Sequence, residues 1–254
     1  MSSSTCERHH MRLDHQTATY LSYDGPHGGA AIPIALQAFA HYRSPAFADQ
    51  INSPAARQLL WRHIGSEDEV PATGALRREL LADLNRLGAW PARPRKLVVA
   101  NGAGNGAGNG VPPGEVALKV TGPLFKGTNL LTQAEGSDVL VAELRAALGK
   151  PKDIVTSDLP AIDGAPGGTL ESFGILADVL NRYGAAEVFH RSVNFVPTLS
   201  ALGFGDLDGA GDLFVDVSGL PGEQSAFDDF VYSSMNTPHC VITEELATWV
   251  LDRL

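Results

Sequence analysis

Leu97–Ala100 reads Leu-Val-Val-Ala, four apolar residues without alternation, and runs into Asn101–Gly110, ten residues made of Asn, Gly and Ala alone. A strand that is apolar on every position has both faces covered, which is the habit of a parallel sheet flanked by helices. The repeat after it offers no large side chain to pack and reads as a flexible loop. A dinucleotide-binding turn would need G-x-G-x-x-G leading into a helix. That spacing is not met, and Pro112-Pro113 would block the helix.

Other segments agree with an α/β arrangement. Thr17–Tyr23 is rich in β-branched and aromatic residues and ends at a breaker cluster, Asp24-Gly25-Pro26-His27-Gly28-Gly29. Ile32–Tyr42 has helical spacing. Ser53-Pro54 supplies an N-cap acceptor and a proline at the first helical position, predicting a helix that runs through His63 to Gly65. Leu76, Leu80, Leu81, Leu84 and Leu87 form a helical stripe closed by Gly88. Leu170, Phe173, Leu176, Leu180 and Tyr183 form another. Thr243 caps a closing helix with Glu244 and Glu245 in its first turn, where the helix dipole favours negative charge. Between them, alternation at Val116, Leu118, Val120 and at Val139, Val141 predicts a small β-meander or hairpin insertion around 115–158. Residues 1–14 read as a disordered or truncated start, and 15–254 as a single α/β domain. No repeat spans a structural unit.

The 44% hydrophobic and 19% charged content is enough for a buried core and argues against global disorder. A formal charge of −10 with no Lys/Arg cluster to displace counterions argues against a phosphate-backbone partner. No apolar run reaches the length of a membrane span, and the start has no signal-peptide core. Cys6 and Cys240 have no metal-ligand spacing and read as ordinary thiols, although one bridge between them stays possible. His9, His10 and His15 cluster by chance in the ragged start. Asp206–Asp212 has the alternating carboxylates of a calcium loop but lacks the bidentate glutamate, so a solvated acidic turn is expected. No cofactor and no metal is expected.

Three motifs bear on chemistry. Ser22–Ala30 (SYDGPHGGA) places Asp, then Pro-His-Gly, at the end of a strand. Phe195–Leu202 (FVPTLSAL) follows a late strand. Asn236–Thr243 (NTPHCVIT) puts His239 just ahead of the last helix. In this order the three resemble the lipase-like α/β-hydrolases, from about Leu13 to the end of the chain.

The resemblance implies a partial α/β-hydrolase-type fold: a mostly parallel sheet with flanking helices and a small β insertion. It implies carboxylic-ester hydrolysis through an acyl-enzyme, with a small ester or lipid as substrate. His239 would be the general base. The acid is open between Asp24 and the late pair Asp206 and Asp208, since the position the family often gives it holds Asn194 or a neighbour. His27 and Ser200 would face the substrate.

The chain departs from the family in having no G-x-S-x-G. Without that strained serine turn, an acid and a histidine have no alcohol to activate, so this chain alone is expected to be inactive. The rival reading is a non-catalytic binding or accessory protein that keeps part of the sheet. Either way, a half-sheet would leave an open strand edge that favours self-association.

Overall fold

The computed structural model describes residues 16–43, 45–182, 185–205, 207–208 and 212–254. The expected ragged start, with Cys6 and its histidines, lies outside the described residues. So do Asp206 and most of the acidic turn.

A three-stranded parallel sheet anchors the molecule: β1 (Thr19–Tyr23), β2 (Arg95–Ala103) and β10 (Asp229–Ser233), in the order β1-β2-β10. Tyr23 pairs with Val99, and Val231 with Val99 from the other side. β2 is central, which is why Leu97 to Ala100 are fully buried. Val99 packs with Leu21, Tyr23 and Val231 against the last helix, α7 (Glu244–Leu251), through Leu246 and Val250. Val98 and Ala100 face the opposite way, into the main core. β1 and β10 are the sheet's edges.

The strands between are antiparallel. β3 (Val116–Val120), β4 (Asn129–Leu131), β5 (Val139–Leu144) and β6 (Lys152–Thr156) form a meander that β8 (Ala186–Val188) joins beside β3. β7 (Gly167–Leu170) pairs with β9 (Val193–Pro197). The fold is therefore α/β, but the expectation of a mostly parallel sheet is corrected. The presumed small insertion carries the largest sheet, because its period-2 strands bury one face each and find antiparallel partners locally.

Helices α1 (Ile34–Arg43), α2 (Pro45–Ile51), α3 (Pro54–Leu59) and α4 (Ala75–Arg86) fill the β1–β2 crossover, α5 (Ser172–Asn181) follows β7, and the short α6 (Thr198–Ala201) follows β9. Ser53 caps α3 by accepting from the Ala56 amide. The helix stops at Leu59, short of the expected Gly65. Ala30 donates to the Leu59 carbonyl and accepts from the Trp61 amide, which holds Leu60 extended.

The glycine repeat is not a flexible loop over its first residues. Asn101 to Ala103 continue β2 and are buried. A side chain at Gly102 would run into Thr198 and the Gly167 backbone, and one at Gly104 into the Tyr232 ring. The small residues are there because neighbouring backbones pass too close for anything larger.

Candidate functional site

The carboxyl ends of β1 and β2 meet at Asp24. Directly after β1, Asp24 takes φ +50°, a left-handed turn that Asp tolerates better than most residues. Its amide donates to the Val99 carbonyl at 2.6 Å, and its Oδ1 accepts the Asn101 amide at 2.9 Å. The side chain is fully buried. Carboxylates reach that state only when paired. Room for it exists because Gly168, on β7, has no Cβ; one built there would collide with Asp24 Oδ2.

The pair is His239. Its loop follows β10 and is strapped to the other strand ends. Asn236 Oδ1 accepts the Ala103 and Gly167 amides, both at 2.9 Å. Thr237 donates its amide to the Asn101 carbonyl and its hydroxyl accepts from Asn101 Nδ2 at 2.8 Å. The His239 amide donates to the Thr169 carbonyl at 2.8 Å. These bonds bring His239 Nδ1 to 2.8 Å from Asp24 Oδ2. An ionised carboxylate only accepts, so Nδ1 carries the proton and Nε2 is left with a lone pair. Phe195 of β9 packs edge-on against the imidazole, with centroids 5.0 Å apart. The His239 side chain is 24% exposed against 0% for Asp24, so the dyad is buried at its acid end and open at its base end.

The Cys240 sulfur is 3.3 Å from Nε2 and 3.7 Å from Nδ1. Partial burial and the Asp24 carboxylate push its thiol up from the ordinary cysteine range. A thiol that keeps its proton is a poor nucleophile.

The remaining candidates divide. Asp208 is not at the dyad: it accepts from Trp61 Nε1 at 2.5 Å and pairs with Arg62 at 2.7 Å. The acid beside His239 is Asp24. Ser200 is fully buried beneath the Pro-His-Gly turn and donates to the Gly29 carbonyl at 2.8 Å, so it supports that turn instead of facing a ligand. His27 lies on the wall of a cavity of about 590 Å³ together with Leu81, Leu84 and Trp90. Its Nε2 is 2.8 Å from Ser22 Oγ, its ring packs on Trp90 and Phe227, and burial pulls its pKa down to about 4, keeping it neutral. No group of three or more metal-binding side chains exists among the described residues, and no helix among them is long and apolar enough to cross a membrane.

Asn101, Gly168, Thr169 and Phe195 complete the site without being candidates in the sequence. Asn101 gives an amide to Asp24 and its side-chain Nδ2 to Thr237, Gly168 leaves room for the carboxylate, Thr169 gives a carbonyl and Phe195 a ring edge, and only the fold shows that these groups meet. Comparison with protein-family models, with curated proteins and with solved structures finds no match to this chain.

Proposed function

We propose that this chain carries the acid–histidine half of a serine-type carboxylic-ester hydrolase. The observation that carries the reading is the 2.8 Å contact between His239 Nδ1 and fully buried Asp24 Oδ2, at the carboxyl ends of parallel strands. Ligands of open parallel sheets bind at that rim. The acid also precedes the histidine in the chain, as in α/β-hydrolases.

In such a dyad, Asp24 holds the imidazole in one tautomer and stabilises the cation that forms. Nε2 takes the proton of an attacking hydroxyl and returns it to the leaving alkoxide. The sequence contains no G-x-S-x-G to supply that hydroxyl. The chain by itself therefore turns over no unactivated ester.

What it retains is a basic Nε2 that attacks activated esters directly. The test is p-nitrophenyl acetate. The expected result is that Nε2 displaces p-nitrophenolate and takes up the acetyl group, read as one equivalent of released phenolate and as acetyl-His239 by mass spectrometry of acid-quenched protein, both lost in His239→Gln. No serine should react with a fluorophosphonate probe. Acetylation spread evenly over other residues would show that the dyad does not direct the reaction to His239, and a fluorophosphonate-labelled serine would refute the missing nucleophile.

A further inference from the structure

A second cavity, of about 480 Å³, lies between α1, α2 and α5 and is lined mainly by apolar side chains, with Gln50 and Ser172 as its polar residues. No dyad residue lines it, but two of its lining residues, Ile32 and Leu170, lie one position along the chain from groups that reach the dyad's surroundings. Ile32 follows Ala31, whose amide donates to the carbonyl of Phe195, the residue that packs on His239. Leu170 follows Thr169, whose carbonyl holds the His239 amide. From there two helices run outward with facing stripes. One is Leu36, Phe39 and Ala40 on α1; the other is Ile175, Leu176 and Val179 on α5.

The geometry points to this groove as the binding site for the straight hydrocarbon chain of an acyl group. As an acyl pocket it rests on the hydrolase reading; as an alkyl-chain site it does not. From Ser172 to Val179 the helix rises about 10 Å, the reach of an extended chain of roughly eight carbons. The volume falls in the range of small-molecule pockets. A docked helix, about 10 Å across with its side chains, would need more room. The lining also includes Ser172, which is 8% exposed. Its hydroxyl is buried with no hydrogen-bond partner among the described residues. Buried hydroxyls are normally satisfied, and a ligand oxygen would satisfy this one. An acyl chain laid along the groove brings its carboxyl end toward His239.

The probes are sodium butyrate, hexanoate, octanoate and decanoate, titrated into the full chain and followed by calorimetry and by amide chemical shifts. Affinity should rise about fourfold per added methylene and flatten beyond roughly eight carbons. Ile175 is 55% exposed at the groove, so Ile175→Glu leaves the fold intact. It should weaken octanoate at least tenfold and abolish the chain-length gradient. Leu84→Glu, in the cavity beside His27, should leave both unchanged. Equal affinities across the series would overturn the assignment. So would a gradient insensitive to Ile175→Glu but lost in Leu84→Glu, which places the chain in the other cavity. Binding requires no chemistry and the acetyl-transfer test requires no groove, so each reading can fail without the other.

Discussion

The Cys240 sulfur sits over the face of the His239 imidazole, 3.3 Å from one ring nitrogen and 3.7 Å from the other. An in-plane hydrogen bond to Nε2 would place it far from Nδ1, so the lone pair of Nε2 stays available. Cys240 also holds φ +60°, a conformation that favours glycine. Cys240→Gly should therefore raise stability by about 0.5–1 kcal/mol, the relief of a left-handed residue less the extra entropy of an unfolded glycine. Acetyl transfer to His239 should persist. Urea unfolding and mass spectrometry measure the two; loss of transfer would make the thiol the reacting group.

Asp24→Asn tests the tautomer. Asn also tolerates positive φ, and its carbonyl can still accept the Asn101 amide. Its amide, however, donates where the carboxylate accepted. Nδ1 must then accept, and the proton moves to Nε2, which can no longer act as a base. The imidazole ¹⁵N shifts should exchange roles between the two nitrogens, and any dyad-dependent reaction should fall by about 10³–10⁴-fold. Unchanged nitrogen shifts would mean that Asp24 does not set the tautomer.

Gly102→Ala should destabilise the protein by about 3 kcal/mol or more. The new methyl meets Thr198 Oγ1 and the Gly167 backbone, and that backbone cannot give way without moving β7. Gly219→Ala is the control: nothing lies near its Cβ and its φ is ordinary, so it should change stability by no more than about 0.5 kcal/mol. Equal midpoints in urea would show that the segment is the loose loop its composition suggests.

These cases show what the residue string could and could not carry. Periodicity located α1, α4 and α5 because an amphipathic stripe is written in side chains. The closing helix α7 was legible from its Thr243 cap and first-turn acids, β1 from its β-branched and aromatic residues ahead of a breaker cluster, and β2 from an unbroken apolar run. The end of α3 escaped it, since Leu60 is held extended by Ala30, far away in the sequence. The glycine repeat reads as a loop although its start is strand, because the absence of side chains looks the same in a loop and in a strand pressed between backbones. At the site, Asp24 and His239 could both be named from their motifs. Choosing Asp24 over Asp208 needed Arg62 and Trp61, which claim Asp208 through contacts no local pattern encodes.

Two buried groups should give stability opposing slopes with pH. Burial raises the Asp163 carboxyl from 3.8 to about 6, against one lowering bond from the Gln133 amide. The folded state thus holds this proton more tightly than the unfolded chain. Its contribution is complete below pH 3.8 and is lost as pH rises through about 6, amounting to about 3 kcal/mol. His27 runs the other way. Burial lowers it from 6.5 to about 4, so its contribution is complete above pH 6.5 and is lost as pH falls through about 4, again by about 3 kcal/mol. Between these limits the two slopes nearly cancel. Asp163→Asn should unmask stability that climbs steadily from pH 4 to 6.5, and His27→Gln stability that declines over nearly the same interval. Urea unfolding at half-unit steps of pH reads both. If either variant stays flat, the residue it retains is not the buried, shifted group that its surroundings require.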